Sequence, residues 1–500
     1  MKKILVNIYP WQKRVAVIQN NRLQNIYFES TSSDRLEGAF FKGRIASILP
    51  GIQTAFVDIK QERAGFLHIS EVDHELAFAR MGTEIEEEKT EEAPKRPPMD
   101  MGKIFKEGEQ ILVQVSREPI HEKGAKLTTC FTLPGRFIVL MPNVPRIGIS
   151  KKIESREERL RLKELLTKLL PKGMGAIIRT SCQDKNERVI ERDLAFLVHT
   201  WRSILKKYAK AKPGEKIHDD LDLVLQVVRD HLDDDVEEVI IDDKTTQSRI
   251  YRFVKSIAPE FANKILLYNQ DAALFDYYDV EHQINTALEK KVQLKSGGTL
   301  IIESTEAMTV VDVNTGRFIG KKNLEDTLLK TNLEAAEEIA RQLRLRNIGG
   351  LIVIDFIDLS EPQNRQTLFK AFEKNLKELD KHQSVVLRIS EFGLVQMTRK
   401  RTGKTLLQQL TTACPNCHGT GFVKSLRSEC NTLLRTLHEA LRNKTLQAKV
   451  QVSLNPILFD YLTTVEYNAL LELEKMYHCT ITAEQDENLQ VHEYRIKQIK

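Results

Sequence analysis

The sequence runs to 500 residues, too many for one hydrophobic core, so three to five compact units of roughly 100–200 residues each are expected. At 41% hydrophobic and 29% charged residues it is neither a wholly disordered nor a collagen-like chain. Its 75 Lys+Arg against 70 Asp+Glu leave a net charge of +5, so any basic surface for a polyanion has to be local.

The opening MKKILVNIYPWQKR breaks its apolar run at Asn7 and Pro10 and then meets Lys13 and Arg14, which makes a poor signal peptide. No apolar run approaches the ~18 residues of a spanning helix, and a cytoplasmic protein is expected. KILVNIYP and RVAVIQNNRLQNIYFE read as a hairpin meander turning at Asn20 and Asn21. From Phe41, FKGRIASILPGIQTAFVDIKQERAGFLHIS falls into strand-length pieces, and five short strands are expected by about Leu127. Between Gly82 and Pro98 six glutamates and three prolines leave nothing to bury, which reads as a mobile, solvated insertion.

From Ser150 the period becomes helical in SREERLRLKELLTKLL, stopped by Pro171 and Gly173, and GAIIRT follows as a strand. Residues 215–280 mix a helix, LDLVLQVVRDHL, with a strand, EEVIIDD. TLIIES and MTVVDV read as strands, DTLLKTNLEAAEEIARQLRLR as a long helix, and LIVIDFIDL as a further strand. Strand, long helix, strand is an α/β unit.

Asp312 in TVVDVNTG and Asp355 in GGLIVIDFIDLS stand inside or at the end of apolar strands. An ionised carboxylate buried there costs several kcal/mol unless it is paired or bound to a metal. Two such acids flanking one helix suggest one site, and oxygen ligands with few His or Cys nearby favour Mg²⁺ or Mn²⁺ over zinc. Asn314, two residues beyond Asp312 and so on the same side of a continued strand, is placed to orient a carboxylate or an attacking water. On these residues alone the alternative stays open that Asp312 begins an Asx turn at Asn-Thr-Gly and that Asp355 pairs with an arginine.

Six cysteines are too sparse for a disulfide scaffold, and Cys130, Cys182, Cys430 and Cys479 are read as reduced core thiols. Cys414 and Cys417, in TTACPNCHGTGF, offer two thiolates at knuckle spacing, with Gly419 and Gly421 permitting close backbone approach. That is half of a tetrahedral zinc site. The other two ligands come from this chain, with Cys430 and His438 nearest, or from the same two cysteines of a second subunit.

VVDVNTG and KTNLEAAEEIARQLRLRNIGGLIVIDFIDL resemble the catalytic core of the ribonuclease E/G family, and the likeness extends through FKGRIASILPGIQTAFVDI, HEKGAKLTT, VLMPN, IIRT, LKSGGTLIIESTEAMT, FGLVQMTRKRT and CPNCHGTG. VNTG, MTRKRT and the lack of a long polar C-terminal tail resemble the G branch of that family. The resemblance implies a multidomain α/β and β protein. Its expected parts are a split ribonuclease-H-like scaffold in residues 1–37 and 215–280, and an S1 (OB-fold) RNA-binding barrel in 38–128 that carries the acidic insertion near 82–98. A 5′-sensor domain in 129–214, a DNase-I-like catalytic domain in 281–408, a zinc link in 409–424 and a small C-terminal domain in 425–500 complete the set.

Carried over by motif, the resemblance makes Asp312 and Asp355 the Mg²⁺ ligands, assisted by Asn314, in hydrolysis of single-stranded RNA to 5′-monophosphate and 3′-hydroxyl ends. It makes Phe56, Phe66 and Lys123 RNA contacts, although each Phe alone reads more readily as core. Arg179 and Thr180 match a pocket for a 5′-monophosphate, followed here by Ser181 and Cys182. Cys414 and Cys417 would share zinc across a homodimer, with higher oligomers open. Expected roles are ribosomal and transfer RNA processing and messenger decay. Two rivals are a non-catalytic S1-type RNA-binding protein and a nuclease of different polarity or for DNA; the aspartate pair argues against the first, the S1 segment against DNA.

Overall fold

The computed structural model describes residues 1–30, 36–73, 100–119, 124–316, 324–380, 382–390, 393–401 and 403–499. The acidic insertion near 82–98 and Lys123 lie outside the described residues. The chain divides into two compact units, Met1–Thr405 and Leu406–Lys500.

The first unit opens with β1 (Lys2–Ile8), β2 (Gln12–Gln19) and β3 (Arg22–Ser30) as an antiparallel meander. The expected turn holds: Asn20 and Asn21 take φ of 51° and 59°, the left-handed pair that a two-residue hairpin loop demands and that asparagine tolerates.

Five strands then close a barrel: β4 (Phe40–Leu49), β5 (Thr54–Asp58), β6 (Gly65–His68), β7 (Gln110–Arg117) and β8 (Lys126–Thr128). β4 pairs with both β5 and β7, so the sheet has no free edge there. Phe41, Ile45, Ala55, Val57, Leu67, Val113 and Leu127 fill the interior. Gly43 is required by this closure, since a Cβ there would lie 2.4 Å from a Val57 methyl carbon.

Next come β9 (Leu133–Pro134), β10 (Ile138–Met141), β11 (Ile147–Ile149) and β12 (Gly175–Ile178), in the order β11-β12-β10-β9. Two helices cover them. Arg156–Leu169 is capped by the Ser155 hydroxyl, and Glu187–Lys210 buries Ile190, Leu194, Leu197, Trp201 and Ile204 along one stripe. The second helix was not taken from the sequence. From it the buried Asp193 carboxylate accepts the backbone N–H groups of Arg136, Phe137 and Ile138 at 3.1, 2.9 and 3.1 Å, fixing the turn before β10.

β13 (Lys216–His218) adds to β4 on the barrel. After helix Leu223–His231, β14 (Val236–Ile241) returns to pair in parallel with β1, and β15 (Ile265–Leu267) pairs with β14. One five-stranded sheet thus joins residues 2–30 with 236–267.

The last sheet of this unit has the order β16-β17-β18-β19-β21-β20, from β16 (Lys291–Gln293), β17 (Thr299–Ser304), β18 (Met308–Asn314), β19 (Gly350–Asp355), β20 (Ser384–Val386) and β21 (Leu394–Arg399). β18 and β19 are parallel, joined by helix Leu324–Leu345. Val311, Val313, Ile352, Ile354, Val395 and Met397 pack on Ala335, Ala336, Ile339, Leu343, Leu368, Phe372 and Leu376 of that helix and of helix Pro362–Leu379. Strand alternation therefore sends Val310, Asp312, Asn314, Leu351 and Asp355 to the opposite face.

The second unit has its own core. β22 (Lys449–Leu454) lies between β23 (Thr480–Gln485) and β24 (Tyr494–Gln498), against helices Leu426–Arg442, Pro456–Thr464 and Tyr467–Tyr477.

Of the four isolated cysteines, Cys182 and Cys430 are core residues as expected, whereas Cys130 and Cys479 are only half-buried; all four are free thiols. Among the described residues no helix is long and apolar enough to cross a membrane.

Candidate active site and nucleic-acid contacts

Asp312 and Asp355 are direct register partners on the parallel strands β18 and β19, near the carboxyl ends of both. In open α/β sheets that end is where ligands collect. The aspartates are not buried, as the apolar wording of their strands had suggested: Asp312 is half-buried and Asp355 exposed, because their neighbours alone face the helices. The Asn314 side-chain amide donates to Asp312 Oδ2 at 2.7 Å. Among the described residues neither aspartate forms an ion pair with a lysine or arginine, so the arginine pairing left open above is absent there.

Burial and the neighbouring charges of Asp312 and Asp355's own near neighbour Asp358 push the Asp355 carboxyl above its ordinary range. Two facing carboxylates with no cation between them repel, and a divalent ion relieves that repulsion. Among the described residues no three His, Cys, Asp or Glu side chains are grouped to hold one metal ion. A pair of carboxylates with room for water is what Mg²⁺ accepts.

Asn332 went unnoticed in the sequence. It is fully buried on helix Leu324–Leu345, donates to the Ile357 carbonyl at 2.7 Å and accepts the Ile357 N–H at 3.0 Å. These bonds satisfy the backbone that leaves β19, which is why LIVIDFIDL stops being a strand at Asp355. Glu325, at the start of the same helix, accepts the N–H groups of Ser360 and Glu361 at 3.3 and 3.1 Å and holds the next turn. No sequence signal marks either residue, because their partners lie 25 to 36 positions away.

Phe56 and Phe66 are brought together as cross-strand partners on β5 and β6, both half-buried and outside the barrel's interior cluster. The core reading of each Phe is thereby set aside. Lys126 is the register partner of Phe66 and pairs with Glu71.

Arg179 and Thr180 follow β12. Arg179 Nη1 donates to the Gly135 carbonyl and to Asp230 Oδ1, both at 2.7 Å, and the Thr180 hydroxyl lies 2.9 Å from that of Ser150. Asp230 and Ser150 were not foreseen.

In the second unit, the turn at Cys414 and Cys417 brings the Gly421 N–H to 3.4 Å from Cys417 Sγ. Backbone N–H groups of Gly421 and Gly419 lower the Cys417 thiol's pKa. That donor set suits a thiolate ligand. Cys430 is sealed in the core among Leu433 and Leu437, and burial pushes its thiol up to about 11, whereas Cys414 is exposed. His438 packs edge-on against Tyr477, ring centroids 5.5 Å apart.

A family model described as Ribonuclease E/G family matches residues 132–402. The chain belongs to the ribonuclease E/G family. A second model, RNase E/G, Thioredoxin-like domain, matches residues 413–499. Ribonuclease G of Escherichia coli strain K12 is 37% identical over 476 residues, 94% of either chain. Ribonuclease G of Haemophilus influenzae is 38% identical over 478 residues, 95% of this chain and 94% of that one. Ribonuclease E of Escherichia coli strain K12 is 38% identical over 454 residues, 89% of this chain but 41% of its own. The likeness thus extends over nearly the whole of the two Ribonuclease G relatives and over less than half of that Ribonuclease E.

Proposed function

We infer that this chain is an endoribonuclease that hydrolyses single-stranded RNA, leaving 5′-monophosphate and 3′-hydroxyl ends, in the cytoplasm. The observation that carries the reading is the Asp312–Asp355 pair, register partners on the helix-free face of the sheet. It is joined by family membership and by relatives named Ribonuclease G and Ribonuclease E. Bound between the two carboxylates, Mg²⁺ would supply Lewis-acid stabilisation of the charge that develops on the scissile phosphate.

The protein's own part is positional. Asn314 keeps Asp312 aimed, Asn332 fixes the chain just beyond Asp355, and Val311 and Val313 beside Asp312 and Ile352 and Ile354 on the strand of Asp355 root both strands in the core. Phe56 and Phe66 supply a surface on which unpaired bases stack without sequence preference. Arg179 and Thr180 meet a 5′-terminal phosphate through a guanidinium and a hydroxyl. Cys414 and Cys417 supply two of four zinc ligands, a second subunit the other two, so the homodimer is the minimal unit. Ribosomal and transfer RNA maturation and messenger decay are the processes this activity serves.

The test is incubation of an internally labelled single-stranded RNA with and without Mg²⁺, with end-group analysis of the products. Mg²⁺-dependent cuts bearing 5′-phosphate ends support the reading; binding without cutting would instead support a non-catalytic RNA-binding protein.

A further inference from the structure

Arg179 is held at one edge only. Both hydrogen bonds it makes among the described residues run from Nη1, to the Gly135 carbonyl and to Asp230 Oδ1. The Nε and Nη2 groups point from the other edge of the fork, and this is the side-on edge that meets two oxygens of a carboxylate or phosphate at once. The side chain remains about one-third exposed, at 32%.

Asp230 is itself anchored. Arg229 grips both of its oxygens, Nε to Oδ1 and Nη2 to Oδ2, each at 3.1 Å. Arg229 is in turn buried and donates from Nη1 to the Pro134 carbonyl at 2.8 Å. Pro134 ends β9, and Gly135 opens the turn that Asp193 ties down through the backbone N–H groups of Arg136, Phe137 and Ile138. Both acceptors of Arg179 Nη1 are thus fixed to rigid backbone, from helix Leu223–His231 on one side and from the turn before β10 on the other.

We propose that Asp230 is a positioning residue for recognition of the 5′-terminal phosphate: by engaging Nη1 it presents the Nε–Nη2 edge of Arg179 outward to a phosphomonoester. The proposal rests on the reading of Arg179 as the 5′-phosphate contact. A freely rotating arginine loses rotamer entropy on each binding event, whereas a fork fixed beforehand by two acceptors does not. The carboxylate is not consumed by the phosphate, because the two anions use different edges of one cation. The Arg229 clasp adds a second positive charge that offsets the repulsion between them.

The experiment compares two RNAs of one sequence, one with a 5′-monophosphate and one with a 5′-hydroxyl, on full-length wild type, Arg179→Ala, Asp230→Ala and Asp230→Asn. The measured quantity is the ratio of kcat/KM for the two ends, with kcat and KM separated. A bidentate charge-assisted contact predicts a wild-type ratio on the order of tenfold or more. Asp230→Ala should bring that ratio close to the Arg179→Ala value, through a higher KM on the phosphorylated RNA alone. Asp230→Asn, which keeps an acceptor for Nη1, should retain most of it. A merely structural loss would instead lower cleavage of both RNAs together and leave the ratio unchanged, and that result overturns the proposal. If Arg179→Ala erases a preference that Asp230→Ala keeps, Asp230 has no positioning role although the phosphate contact stands. A wild type indifferent to its substrate's 5′ end would overturn the contact and the proposal with it.

Discussion

Asp312 and Asp355 face one another across two parallel strands, 43 positions apart in sequence but at the same level of the sheet. Everything expected of the proposed catalytic site depends on that pairing, because the proposed divalent ion would have to reach both carboxylates. Asp312→Asn or Asp355→Asn should each lower cleavage by about 10²-fold or more, the loss of roughly 3 kcal/mol of charge stabilisation in the transition state. RNA affinity, measured by filter binding or anisotropy, should hardly change, since the proposed aromatic surface on the barrel would supply it.

Phe56 and Phe66 should behave in the opposite way. Replacing either with alanine removes a stacking surface worth about 1–3 kcal/mol per base, so RNA binding weakens while the metal site keeps its geometry. The barrel's unfolding midpoint should move little, because neither ring belongs to its interior. A large drop in that midpoint would return both residues to a structural role.

A 5′-monophosphate should accelerate cleavage relative to a 5′-triphosphate, and Arg179→Ala should erase the difference. Single-turnover rates on the two substrates measure this directly.

Asp380 and Arg399 form a buried ion pair, Arg399 Nε to Asp380 Oδ2 at 2.6 Å, with Arg399 also donating to the Ile348 carbonyl at 2.5 Å. Burial raises the Asp380 carboxyl, but hydrogen bonds from His382 and Arg399 and the Arg399 charge outweigh it and hold the group far below the ordinary carboxylate range. A depressed carboxyl stabilises the fold above its unfolded-state pKa, near 4, and that stability is lost as pH falls toward the folded-state value. Asp380→Asn should therefore cost about 3–5 kcal/mol at neutral pH by leaving Arg399 uncompensated. Urea melts of wild type and variant should converge as the pH is lowered through the acid range.

Metal analysis of the purified protein should give about one zinc per two chains, and Cys414→Ser should abolish binding and shift light scattering from dimer toward monomer. One zinc per chain in a stable monomer would contradict the shared site.

The aspartates were legible because a charged residue interrupting an apolar strand is conspicuous, and period-two alternation places it on one face. Their burial was misjudged, because an apolar run does not say whether its second face is covered. Arg399 is a different case: it stands in the basic run MTRKRT, which carries no sign that one of its arginines is 2% exposed and closes an ion pair with Asp380. Asn332, Asp230 and Ser150 left no trace for a related reason. A polar residue on a helix or in a loop has no periodic signature of its role, which depends on a partner tens of residues away. The barrel was legible to the strand, five from Phe40 to Thr128, because Pro50, Gly51 and the KQER stretch punctuate it, but the sixth strand at Lys216–His218 is too short to carry a pattern.

The most direct measurement is cleavage of an internally labelled, unpaired RNA by the wild-type chain in matched reactions with Mg²⁺ and with EDTA, each product's ends being identified. The account predicts internal cuts only with Mg²⁺, each leaving a 5′-monophosphate and a 3′-hydroxyl, and none with Asp312→Asn. Equal cutting in EDTA, or undiminished cutting by Asp312→Asn, would contradict it.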